Sequence, residues 1–163
     1  MSADATIDGG SGAINLGAMT LSDGVTLTVG TGGSGAPTIT SVSGTASGTA
    51  SNLTLNTTGT ASVGAVGTDL GTVTVTQSGG TTFSSTVDTG TSVVLTDTTG
   101  TIQFDGALTT PTLTTAAAGY NVSLLGGSTI TNAVTILNTG TLKLGDDASD
   151  VNTFTGGLTA TAA

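Results

Sequence analysis

Apolar residues in this chain recur at every second position, in short bursts. Ile14 and Leu16 flank Asn15, and Val25, Leu27 and Val29 alternate with Thr26 and Thr28. The same pattern returns at Leu53/Leu55, Val73/Val75, Ile102/Phe104, Val122/Leu124, Val134/Ile136 and Leu142/Leu144. Successive side chains of a strand point to opposite sides, so each burst predicts a short strand with one buried face. Gly, Asn and Asp separate the bursts, as turns require. Nothing in the pattern supports helix. The apolar period is two rather than 3.6, and Thr, Ser, Gly and Val are poor helix formers.

The bursts are themselves periodic. A glycine precedes an alternation at Gly12, Gly35, Gly59, Gly80, Gly100, Gly119 and Gly140, in steps of 23, 24, 21, 20, 19 and 21 by subtraction. About seven residues after an anchor stands a second apolar site (Val66, Val87, Leu108), and about six later a third (Val73, Val93, Leu113). Each repeat therefore reads as three short strands joined by turns. The spacing predicts an all-β chain, a parallel β-helix (β-solenoid) of about seven coils of roughly 20 residues. At about 4.8 Å per coil the rod would be about 34 Å long. Residues 1–163 form one domain on this reading. Val73, Val93 and Leu113 should stack in one inward ladder, with Leu53 in the coil below. An antiparallel β-sandwich, which also has short strands at 8–12-residue spacing, is the alternative.

Composition narrows the function classes. Acidic residues number 10, all Asp, against the single base Lys143, for a net charge of −9. Charged residues are 7% of the chain, against roughly 25% in ordinary domains. His is absent, as are Glu, Arg, Cys and Trp. One cation cannot neutralise a run of phosphates, so no nucleic-acid face is expected. No apolar run is long enough to insert in a bilayer. Hydrophobic residues make up 36%, and their ordered spacing argues for a folded core rather than a disordered Gly/Ser/Thr tract.

Several segments carry a resemblance. Leu53-Thr-Leu-Asn-Thr-Thr-Gly-Thr, Thr141-Leu-Lys-Leu-Gly-Asp-Asp and Phe154-Thr-Gly-Gly-Leu-Thr-Ala-Thr-Ala look like the repeats of very large bacterial surface proteins. These are the filamentous-haemagglutinin-like adhesins and kindred β-strand-repeat proteins. The similarity runs over roughly residues 50–163. It implies a right-handed parallel β-helix, secretion, an extracellular or cell-surface location, and a structural or adhesive role toward a host or cell-surface ligand. That family's N-terminal secretion domain has no counterpart in this sequence.

Candidate chemistry is sparse. β-Helices host polysaccharide lyases and hydrolases, which need paired carboxylates, a cationic base or metal ligands. Here Asp4, Asp8, Asp23, Asp69, Asp88, Asp97 and Asp105 are scattered singly, most beside Gly or Thr, where Asp suits turns. The chain is read as a non-enzyme with no catalytic, cofactor-binding or metal site. The one carboxylate cluster is Asp146, Asp147 and Asp150, with Asn152 near. Three hard oxygens in a loop could hold calcium, but calcium takes 6–8, and the plainer reading is a solvated acidic loop. The sequons at Asn52, Asn56 and Asn121 are expected by chance among so many Ser and Thr, and no glycan is assigned.

Thr-x-Thr triplets recur at Thr26-Leu-Thr28, Thr38-Ile-Thr40, Thr72-Val-Thr-Val-Thr76, Thr112-Leu-Thr114, Thr129-Ile-Thr131 and Thr153-Phe-Thr155. With the middle residue inward, both Thr point out on a flat sheet, a pattern that resembles insect ice-binding solenoids. Val94 and Ser123 would interrupt it. Outward Thr is also what any water-facing β-coil favours. The leading expectation is thus a structural segment of a secreted adhesin or extracellular filament. The alternative is a module that binds ice or glycan through the Thr face. Neither end reads as capped: the coils are taken to begin at Ile14, and the chain stops in mid-pattern. The expected partners are therefore flanking coils of a longer chain or further copies stacked head to tail, since open strand edges recruit strands.

Overall fold

The computed structural model describes residues 1–161, with every side chain in that span except that of Asp97. These residues form nineteen short strands and no helix, and every strand pair is parallel. The molecule is a β-solenoid of three faces. The first face stacks Ile14–Leu16, Pro37–Ile39, Ala61–Val63, Thr81–Phe83, Thr101–Phe104, Asn121–Leu124 and Leu142–Leu144. Its outward file is Asn15, Thr38, Ser62, Thr82, Gln103, Ser123 and Lys143, in steps of 23, 24, 20, 21, 20 and 20 by subtraction. These are near the glycine-anchor steps, and each anchor stands one or two residues before its strand.

In the first three coils, strands Ile14–Leu21, Pro37–Gly44 and Ala61–Gly67 bend from the first face straight onto the second. The corner is Gly17, Thr40 and Gly64 in file. A Cβ on Gly64 would run into the Thr40 carbonyl oxygen, so the backbone here tolerates only glycine. From the fourth coil on, a turn separates the faces, and the second face continues as Val87–Asp88, Leu108–Thr110, Ser128–Ile130 and Asn152–Phe154. The third face is the six-stranded stack Ala5–Ile7, Thr26–Val29, Ser51–Asn56, Leu70–Ser78, Ser92–Thr98 and Thr112–Thr115. The pair Val134–Ile136 and Leu158–Ala160 continues it. The ladder is interrupted between Thr112–Thr115 and that pair, and at the far end of Val134–Ile136 the Thr115 hydroxyl accepts Leu137 N–H at 2.8 Å.

The core is a set of inward ladders. Leu27, Leu53, Val73 and Val93 are fully buried in register, and Leu113 follows at 3% exposure. This is the ladder the sequence spacing predicts, and Val66, Val87 and Leu108 form the matching one on the second face. On the first face Phe83 and Phe104 stack with ring centroids 4.7 Å apart and planes 8° from parallel. Each buried aromatic withdraws a large apolar area from water. Tyr120 is also fully buried, and its hydroxyl donates to the Leu95 carbonyl and accepts Ala116 N–H. Burial pushes that hydroxyl's pKa up, opposed by the Ala116 hydrogen bond.

Two expectations are corrected. The coils begin at Ala5, not Ile14: Ala5, Thr6 and Ile7 pair with Leu27, Thr28 and Val29. The Met1 carbonyl takes Ser22 N–H at 2.7 Å, and Asp4 Oδ1 takes Thr26 N–H at 2.7 Å. This end is therefore partly covered by its own chain. Second, the Thr-x-Thr triplets do not share one surface. Thr38 lies on the first face and Thr40 at its corner, Thr129, Thr131, Thr153 and Thr155 on or beside the second, and only Thr26/Thr28, Thr72/Thr74 and Thr112/Thr114 share the third.

Candidate functional site

The carboxylates read singly from the sequence are not all in turns, and the structure brings two of them, Asp69 and Asp88, to one groove. Asp23, Asp69 and Asp105 stand between strands, whereas Asp88 and Asp97 lie within them. Asp69 has φ +60° and follows Thr68 at +51°, a left-handed pair uncommon outside glycine. With Asp88 they border a shallow groove on the edge between the second and third faces. One Asp69 oxygen is buried there without a hydrogen-bond partner. Asp69 and Asp88 are the two titratable groups that line this groove, and its lining among the described residues includes no cation beside them.

Asp146, Asp147 and Asp150 do come together, each offering an oxygen within 4.8 Å of the others. Two of the three carboxylates already have work within the loop. Asp150 Oδ2 accepts the N–H groups of Asp146 and Asp147 at 2.8 and 2.9 Å. Asp147 Oδ1 accepts Ser149 N–H at 2.7 Å. The two backbone donors hold the Asp150 carboxyl below the usual range, with a smaller contribution from Lys143. The cluster closes the long turn between the first and second faces of the last coil. The two sequon asparagines Asn52 and Asn121 are likewise structural: their Oδ1 atoms accept Thr72 N–H and Thr141 N–H, one coil on.

The most regular surface is the third face. Its outward file runs Thr6, Thr28, Thr54, Thr74, Val94 and Thr114 in one sheet, and beyond the break Thr135 pairs with Thr159. The adjoining outward file is Thr26, Asn52, Thr72, Ser92 and Thr112. This second file is bonded along the stack: Thr72 Oγ1 and Ser92 Oγ are 3.2 Å apart, and Asn132 Nδ2 donates to Thr112 Oγ1 at 2.9 Å. Thr6, Thr54, Thr135 and Thr159 belong to no Thr-x-Thr triplet singled out from the sequence. The signal that finds them is position: each sits between the two inward residues of its coil's third strand.

The fold defines the class, a three-faced parallel β-solenoid. Comparison of this chain with protein-family models, with curated proteins and with solved structures gave no match.

Proposed function

We propose that this chain is a structural β-helical segment of a secreted bacterial surface adhesin or extracellular filament. Its work is mechanical: it spaces what lies at its two ends and presents polar faces along its length. The observation that carries this reading is the continuity of the inward ladders. Apolar side chains fill the interior from Leu27 through Leu113 and Val134, and the outward residues are small and mostly neutral. A rod of this kind transmits position.

The last coil supports coil-on-coil continuation. Leu144 and Leu158 are 42% and 36% exposed, on strands whose outer edges are unpaired among the described residues, and Val151, in the turn before Asn152–Phe154, is 72% exposed. A further coil would cover them and satisfy those edges. A second copy fits less well than a flanking coil. With its Ala5–Ile7 set on Leu158–Ala160 the third face would continue, Thr6 over Thr159, but the described residues of neither copy would supply the first two faces of that rung.

The test is cellular. Antibodies raised against the purified chain should label intact, unpermeabilised cells of the bacterium that encodes it. Labelling that appears only after permeabilisation would overturn the surface assignment.

A further inference from the structure

The geometry points to an ice-binding surface on the third face, built on the threonine file Thr6, Thr28, Thr54, Thr74, Thr114, Thr135 and Thr159. The inference is independent of where the chain resides.

Outward threonine is favoured on any strand, so the first question is whether this file exceeds that tendency. It does. Threonine holds seven of its eight positions, Val94 being the exception. The first-face file from Asn15 to Lys143 has threonine at two of seven. The second-face file Thr20, Ser43, Gly67, Asp88, Thr109, Thr129, Thr153 has it at four of seven. A general preference for threonine outside would treat the three faces alike.

The second observation is hydrogen bonding. Some threonine hydroxyls are tied into the fold, Thr96 to the Thr76 carbonyl, Thr89 to Thr110 and Thr45 to Asp23, whereas outward ones on the other faces, such as Thr38, Thr82 and Thr129, are left to water as in this file; what marks the third face is how many stand in one rank. Among the described residues none of the seven file hydroxyls bonds to a protein group, although neighbours in the adjoining file bond to each other. Seven hydroxyls and their methyls are thus left to water, one per coil, on a rigid support.

Spacing and charge select the partner. Stacked strands repeat at about 4.8 Å, and alternate residues of one strand at about 6.7 Å. Both distances are close to repeats of the ice lattice. β-Branching leaves threonine few χ1 states, so hydroxyl and methyl hold their places in the rank with little entropy to lose. Between Thr26 and Thr114 both files are uncharged, on a molecule whose net charge is −9. A neutral, periodic surface suits a neutral, periodic partner. A soluble glycan would favour an aromatic platform, but Phe83, Phe104 and Tyr120 are buried and Phe154, partly buried, packs against the core of the second face rather than lying on this one.

The test is thermal hysteresis and crystal morphology on the purified chain. The native protein should hold a seed ice crystal faceted and unchanged over a freezing gap that widens with concentration. Thr54→Tyr should reduce the gap to the buffer value, while Thr82→Tyr on the first face leaves it intact, both variants melting like the parent. Val94→Thr completes the file and should widen the gap. Three results would overturn the proposal. One is round, freely growing crystals at the highest soluble concentration. Another is equal loss in Thr54→Tyr and Thr82→Tyr. The third is retention on insoluble chitin or cellulose that Thr54→Tyr abolishes, with no freezing gap, which assigns the face to a glycan.

Discussion

Placing an aspartate at Val93 and, separately, at Val94 sets the two sides of one strand against each other. Val93 is fully buried between Val73 and Leu113, while Val94 points outward in the next position. Val93→Asp forfeits the burial of a valine side chain, about 1.5–3 kcal/mol. It also leaves a carboxylate without a partner in an apolar ladder. Such burial raises a carboxyl pKa by up to about 3–5 units, and at about 1.36 kcal/mol per unit the charged form costs about 4–7 kcal/mol at neutral pH. The sum is comparable with the whole stability of a typical domain, about 5–15 kcal/mol. At about 2–4 °C per kcal/mol, the Val93→Asp protein should melt at least about 10 °C below the parent, or fail to fold. Val94→Asp should stay within about 1 kcal/mol of the parent, as surface substitutions do. Thermal melts followed by circular dichroism in the far ultraviolet measure both. The introduced carboxyl has a raised pKa in the folded state, so its penalty is largest at neutral pH and shrinks as pH falls toward the unfolded value of about 3.9. Equal melting shifts for the two variants would show that the inward register is wrong.

Three further outcomes follow from the geometry. Gly64→Ala should destabilise strongly, because its Cβ meets the Thr40 carbonyl oxygen, while Gly17→Ala in the same corner file has open space and should be neutral; chemical denaturation midpoints distinguish them. Asp8 and Asp150 have depressed pKa values, Asp8 chiefly through the Thr31 hydroxyl and Asp150 through two backbone N–H groups. Their contribution is present above the ordinary carboxylate pKa and lost as pH falls through the lower folded values, so an acid titration of the melting temperature should fall more shallowly for Asp150→Ala than for the parent. Millimolar calcium followed by chelator should leave the melting temperature unchanged, since Asp147 and Asp150 already accept hydrogen bonds within the loop; a calcium-dependent rise would mean that the loop rearranges to bind the ion.

Much of the fold could be read from the chain because the two periods are independent and agree. Alternation at Val73/Val75 and Val93/Leu95 fixes which side is inward, and the repeat fixes which residues stack, so the ladder through Leu53, Val73, Val93 and Leu113 follows. The start of the coils at Ala5 was hidden because Ala5-Thr-Ile7 is a burst of only three residues. Its strand identity comes from pairing with Leu27–Val29 and from the Asp4 carboxylate, neither of which is local. Leu142 and Leu144 read as core by alternation but are half-buried and exposed, since burial in a solenoid depends on the coil above as well as on register. The threonine surface was the least legible part. A Thr-x-Thr triplet states that two hydroxyls point out, but which of three faces they occupy is set by the turns before them. Those turns change length where the bent strands of the first three coils give way to separate ones.

The parallel stack with one threonine file is tested most directly by bridging thiols, against a background free of cysteine. Thr54→Cys with Thr74→Cys places two thiols one rung apart on the third face, and Thr54→Cys with Val94→Cys places them two rungs apart. Dibromobimane fluoresces when it bridges thiols about one strand spacing apart, about 4.8 Å. The account predicts rapid, intramolecular bridging in the Thr54/Thr74 pair and none in the Thr54/Val94 pair. Bridging in the second pair without the first, or in neither while the protein remains folded, would contradict it.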